Sequence, residues 1–164
     1  MLKQVSAFVR HSSQGVEAVS TDTVRDLLEA ERDQLVLLDT RSLAEYEVSH
    51  LEGAVHVDPD TVNMDEVVQS LDLADNKENK DLVCYCTVGY RSSKVAQKLN
   101  QYLAINSGQS LQGLLKVYNM EGGLVKWANE RKLMVDGKNQ PTILVHPYNA
   151  MWGYLLEPQF RAQI

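Results

Sequence analysis

Apolar and polar positions along this chain change period from segment to segment, and those changes mark its elements. From Ser20, "STDTVRDLLEAERD" places Val24, Leu27, Leu28 and Ala30 at helical spacing behind residues that cap a helix, which predicts a first amphipathic helix. "QLVLLDTR" is an apolar run without alternation, as expected of a strand buried on both faces in a parallel sheet, and it ends on Asp39 and Arg41. Ser42 and Glu45 stand at capping-box spacing and predict a short helix over 43–49, which Gly53 breaks ahead of an extended segment at 54–57. Residues 60–71 read as a helix, "DLADNKENK" as a polar connector, 82–85 as a strand and 92–103 as a helix. After a turn-rich connector at 104–116, "KVYNM" reads as a strand, "EGG" as a tight turn and "LVKWANERK" as a helix.

Strands that alternate with helices predict an α/β sandwich with a largely parallel central sheet. The chain of 164 residues is long enough for one domain with a substantial core. Residues 18–135 are expected to form that domain and 1–17 a flexible N-terminal segment. Residues 136–164 carry Pro141, Pro147 and Pro158, and are expected to form an extension that packs through Met151, Trp152, Tyr154, Leu155 and Leu156.

Charge and cysteine usage then narrow the function. A formal net charge of −6 gives no footprint for nucleic acid, and no apolar stretch reaches the roughly 20 residues of a membrane span. The two cysteines, Cys84 and Cys86, are too few for a secreted disulfide framework and imply a reducing compartment, so a cytoplasmic protein is expected. Lys3, Arg10, several serines and the lack of acids in the first sixteen residues leave a mitochondrial presequence as the alternative. The Cys and His spacings match no zinc pattern, and neither a metal nor another cofactor is expected.

The chemistry concentrates in "DLVCYCTVGYRSSKVAQKL". In an open parallel sheet, ligands bind outside the carboxyl ends of the strands, and Asp39, Cys86 and the "EGG" turn each stand at such an end. Thr87, Val88, Gly89 and Tyr90 would wrap between Cys86 and the next helix, aiming backbone N–H groups and the positive end of the helix dipole at the sulfur. The thiolate is the nucleophilic form, so this setting predicts a nucleophile at Cys86. Gly89 allows the tight turn and Arg91 can hold the loop closed. Cys84, inside the strand, reads as a core residue, and no stable bridge to Cys86 is expected. His50 reads as packing the turn before Gly53, and His56 as a strand residue.

These residues resemble a known family. "CTVGYRS" matches the active-site loop of single-domain rhodanese-like sulfurtransferases, "LLDTRSLAEYEVSHLEGAVHV" resembles that family's upstream signature, and "VYNMEGGLVKWANERK" resembles its closing strand, double glycine and Trp-bearing helix. The resemblance implies a rhodanese-like three-layer sandwich. It also implies sulfur transfer, in which Cys86 takes a sulfane sulfur from thiosulfate or a persulfide, holds it as a persulfide and passes it to a thiol, cyanide or a protein cysteine. By similarity Thr87, Val88, Gly89, Tyr90 and Arg91 form the substrate cradle, with Asp39 and Arg41 as a supporting pair at the crevice. The chain departs from the family in three ways: Thr87 replaces a basic residue seen in enzymes tuned to thiosulfate, the 104–116 connector looks long enough to line the crevice, and Arg131 stands where glycine is common.

Two rival readings share this fold. One is a non-catalytic binding or regulatory module. The other is a cysteine-dependent phosphatase, whose loop would have one residue more between cysteine and arginine than the four here. The oligomeric state is left open.

Overall fold

The computed structural model describes residues 1–105 and 109–163. Five strands, β1 (Glu17–Val19), β2 (Leu35–Asp39), β3 (Val55–His56), β4 (Lys80–Tyr85) and β5 (Leu115–Met120), form one sheet in the order β1-β5-β4-β2-β3. Every pairing in it is parallel.

The central strand β4 shows why the apolar runs lack alternation. Val83 and Tyr85 join one core cluster while Leu82 and Cys84 join the other, so both faces of the strand are covered. On the Val83 face lie α2 (Thr21–Ala30), through Val24, and α6 (Gly123–Asn129), through Leu124, Val125, Trp127 and Ala128. The Leu82 face is covered by α4 (Met64–Ser70) and α5 (Tyr90–Ala104), through Val67, Val68, Val95, Ala96 and Leu99. Fully burying one such leucine contributes about 1.5–3 kcal/mol. The capping signals act as their spacing predicts: the Ser20 hydroxyl accepts from Thr23 N, and Ser42 and Glu45 complete a capping box on α3 (Leu43–Val48).

The N-terminal segment expected to be flexible is instead a helix, α1 (Leu2–Ser12), with Ser6 and Val9 buried. Leu2 and Val5 pack on the Val83-side core, and β1 follows as an edge strand on β5. The last residues of the predicted domain, β6 (Met134–Val135), pair antiparallel with β7 (Pro141–Thr142) of the C-terminal extension, which also includes a short helix, α7 (Ala150–Gly153). It enters the core through Val145, Leu156 and Phe160, while Met151 and Tyr154, expected to pack, face solvent. The Asn129 amide fastens it, donating to Leu155 O at 2.8 Å and accepting from Glu157 N at 2.9 Å.

The described part of the 104–116 connector does not line the crevice. Leu111 packs with the Leu82-side core, and Leu114 O accepts from Lys80 N, which places this stretch at the amino ends of β4 and β5. Residues 106–108 of that connector lie outside the described residues. Among the described residues, no helix is long and apolar enough to cross a membrane.

Candidate active site

Cys86 follows the last residue of β4, and Gly89, at φ +101°, caps the start of α5. That left-handed conformation turns the chain within three residues and brings Gly89 N to 3.1 Å from Cys86 Sγ, to which it donates. The Ser92 hydroxyl lies 3.4 Å from the same sulfur. The sulfur itself is buried, with 1% of Cys86 exposed.

The "EGG" turn approaches from β5 and grips the loop's carbonyls. Leu124 N donates to Cys86 O at 2.9 Å and Val125 N to Thr87 O at 3.0 Å. Gly123, at φ +59°, permits this approach: a Cβ there would come within 2.6 Å of Cys86 O and closer still to Thr87 O. With two carbonyls engaged by α6, the polar backbone contact left facing the sulfur is a donor.

Arg91 closes the loop from the other side. It grips Glu45 through two hydrogen bonds of 2.8 and 2.9 Å and donates a third to Thr87 Oγ1 at 2.9 Å. Glu45 therefore serves twice, as the α3 capping-box acid and as the anchor of the cysteine loop. Burial opposes its ionisation, but the hydrogen bonds from Arg91 and Ser42 outweigh that and hold its carboxyl down at about 2. Arg91 shifts the opposite way, upward: burial works against its charge, and Glu45 together with the nearby Cys86 sulfur more than compensates.

Several predicted site residues take other places. Asp39 and Arg41, expected at the crevice, form a fully buried pair with contacts of 2.9 and 2.6 Å, and Arg41 also donates to Ser49 O at 2.5 Å. Their side chains hydrogen-bond to each other and to the chain at Ser49, which makes them a support of the sheet end. Thr87 and Val88 are buried as Cys86 is, the Thr87 side chain in the Glu45–Arg91 network and that of Val88 in the core. Tyr90 reaches the rim, stacked at 6.3 Å on Phe8 of α1, and Tyr148 of the C-terminal extension lies 4.2 Å from the Arg91 guanidinium. Cys84 is pushed up to about 12 by burial, with the Cys86 sulfur adding to the shift, and both cysteines are free. The His50 ring stacks on Tyr46 at 3.8 Å and its Nδ1 lies 2.8 Å from Tyr46 O, while His56 Nε2 lies 2.6 Å from Arg41 O. No metal-binding group of three or more His, Cys, Asp or Glu occurs among the described residues.

Two polar residues of this site escape sequence reasoning. Glu45 is visible as a cap and within the upstream family signature, and neither assigns it to the cysteine loop. Asn119, inside the apolar "KVYNM" strand, is buried; it donates through Nδ2 to Gly89 O at 3.1 Å and accepts from the Ser92 hydroxyl at 2.6 Å. A polar residue at a core position of a strand is the signal that could have found it.

Comparison with known proteins follows the same outline. The chain is similar to the tRNA uridine(34) hydroxylase of Pectobacterium carotovorum subsp. carotovorum (strain PC1), 30% identical over 103 residues that cover 63% of this chain and 26% of that protein. It thus spans about a quarter of the length of that relative. In fold it is similar to a thiosulfate sulfurtransferase from Pseudomonas aeruginosa, with a TM-score of 0.58 and 20% identity over 85% of this chain and 23% of that one. It is also similar to the polysulfide-sulfur transferase homodimer from Wolinella succinogenes, with a TM-score of 0.57 and 20% identity over 82% of this chain and 88% of that one. A sequence profile described as the rhodanese-like domain matches residues 20–130. With that match covering most of its length, the cysteine loop, the glycine clamp and the parallel sheet between them belong to a member of the rhodanese-like domain family.

Proposed function

We propose that this chain is a sulfurtransferase that works through a persulfide on Cys86. The Cys86 thiolate attacks the outer sulfur of thiosulfate, or the sulfane sulfur of a persulfide; a new S–S bond forms, the donor's own S–S bond breaks, and sulfite or a thiolate leaves with the electron pair. An acceptor nucleophile, such as cyanide, a small thiol or a protein cysteine, then takes the terminal sulfur and returns Cys86 as thiolate. The observation that carries this reading is the polarity of the loop: Gly89 N donates to the sulfur while the carbonyls of Cys86 and Thr87 are held by α6. Anionic sulfur, as thiolate or persulfide, is the species such a loop stabilises. Arg91 adds positive charge beside it.

With Thr87 where thiosulfate-tuned enzymes carry a basic residue, we place persulfide donors ahead of thiosulfate. The hydroxylation for which the tRNA-modifying relative is named is not proposed for this chain, which covers a quarter of that protein and has a net charge of −6. The phosphatase reading is disfavoured by the four-residue span between Cys86 and Arg91, one residue shorter than the loop that reading calls for.

Intact mass after incubation with thiosulfate or glutathione persulfide tests the proposal. Wild type should gain one sulfur atom and lose it to cyanide as thiocyanate, and Cys86→Ser should gain none. A Cys86 that neither loads sulfur nor reacts with alkylating agents would instead favour the non-catalytic binding module.

A further inference from the structure

The Ser92 hydroxyl stands between two acceptors and has one hydrogen to give. Cys86 Sγ is 3.4 Å away on one side and Asn119 Oδ1 is 2.6 Å away on the other. The orientation of the Asn119 amide follows from its other end, which meets Gly89 O at 3.1 Å; a carbonyl only accepts, so that end is the NH2 group and Oδ1 faces Ser92. Two oxygens 2.6 Å apart require a hydrogen between them, and Ser92 alone can supply it. With its hydrogen on Asn119, Ser92 offers the sulfur a lone pair, which suits a thiol that donates its own S–H. Once the sulfur is anionic that arrangement is repulsive, and the hydroxyl must turn from Asn119 toward Sγ.

We propose that Asn119 is a positioning residue that competes with the Cys86 sulfur for the single hydroxyl hydrogen of Ser92, and so governs whether anionic sulfur is held by one donor, Gly89 N–H, or by two. The inference rests on the reading of Cys86 as the nucleophile. All three residues are buried, so water does not readily substitute for either partner. Gly89 O also accepts from Ser93 N at 3.1 Å, so removing the Asn119 amide does not orphan that carbonyl. The titratable and charged groups on the elements around the loop include Cys84 and Tyr85 on β4, Tyr90, Arg91 and Lys94 on α5, Glu45 on α3, Lys126 on α6, and Arg10 on α1 with its partner Glu121 in the turn. None of them contacts Asn119 through a hydrogen bond described above, so a substitution there leaves their charges in place.

The test is the pH dependence of Cys86 alkylation by iodoacetamide, followed by peptide mass, for Asn119→Ala with Ser92 present and in a Ser92→Ala background. With Ser92 present the pH of half-maximal reactivity should fall by about one unit, the size of one hydrogen bond to a charged group. In the Ser92→Ala background it should not move. Asn119→Asp, whose carboxylate holds the hydroxyl more firmly, should raise it. Equal shifts in both backgrounds, or no shift with Ser92 present, would overturn this inference alone. A wild-type Cys86 unreactive at every pH would remove the proposed nucleophile and this inference with it. Should Asn119→Ala not fold, the side-chain amide resonance of Asn119 in 15N-labelled wild type decides. It must titrate together with Cys86 reactivity, and a resonance that stays still overturns the proposal.

Discussion

Asp39–Arg41 and Glu45–Arg91 are the same carboxylate–guanidinium pairing in two settings, both at the carboxyl end of the sheet and close enough that Arg91 feels the charge of Arg41 and Arg41 that of Glu45. The first is sealed, with neither side chain exposed, and it ties β2 to the chain near Ser49. Arg41 Nη1 and Ser49 Oγ have no partner among the described residues, so the pair is not fully satisfied even within its own pocket. The second leaves 19% of the Arg91 side chain exposed and holds the loop that carries Cys86. Desolvation accounts for the difference. A sealed pair contributes little net stability against an apolar replacement. A rim pair keeps enough water contact to be adjusted by what binds beside it.

Breaking the sealed pair should have the largest effect. Arg41→Leu leaves a carboxylate with no exposure and no cation, and is expected to cost about 3–5 kcal/mol in urea unfolding. Asp39→Leu combined with Arg41→Met should recover most of that loss, and failure to recover would mean that the pair stabilises the fold outright. Glu45→Gln should cost less, about 1.5–3 kcal/mol, and should also slow sulfur loading by loosening Arg91 from Thr87. The pH dependence sharpens this case. The Glu45 carboxyl lies at about 2 in the fold against an ordinary value of 4.5, so its contribution is fully present above about pH 4.5 and lost as pH falls toward 2. Thermal melts across that window should lose a component in wild type that Glu45→Gln lacks. The smallest effect belongs to Tyr148→Ala, which removes the ring over Arg91 and should cost about 0.5–1 kcal/mol by thermal melting. Tyr154→Ala, in the same extension but away from Arg91, serves as its comparison.

The contrast between the pairs also shows where sequence reasoning stops. The parallel strands were legible because β2 and β4 carry unbroken apolar runs, and the cysteine loop because a glycine and an arginine follow Cys86 at short spacing. The burial of Asp39 and Arg41 was not, since charged residues at a strand end are ordinarily exposed and only tertiary packing makes them otherwise. The helix α1 has Leu2, Val5 and Val9 at helical spacing, but its place on the core depends on contacts with the distant α5, such as Ser13 to Ser93 at 2.7 Å. The strand β1 is three residues long, too short for any period to register.

The glycine clamp carries a consequence for the order in which this protein becomes chemically competent. The carbonyls of Cys86 and Thr87 find their partners only when Leu124 and Val125 arrive, and that arrival requires Gly123 at the point of closest approach. A chain emerging from the ribosome therefore carries its thiol long before it carries the cradle. The donor-lined loop matures when β5 joins β4, so under the proposed function sulfur loading would report on completed assembly of the sheet as well as on chemistry.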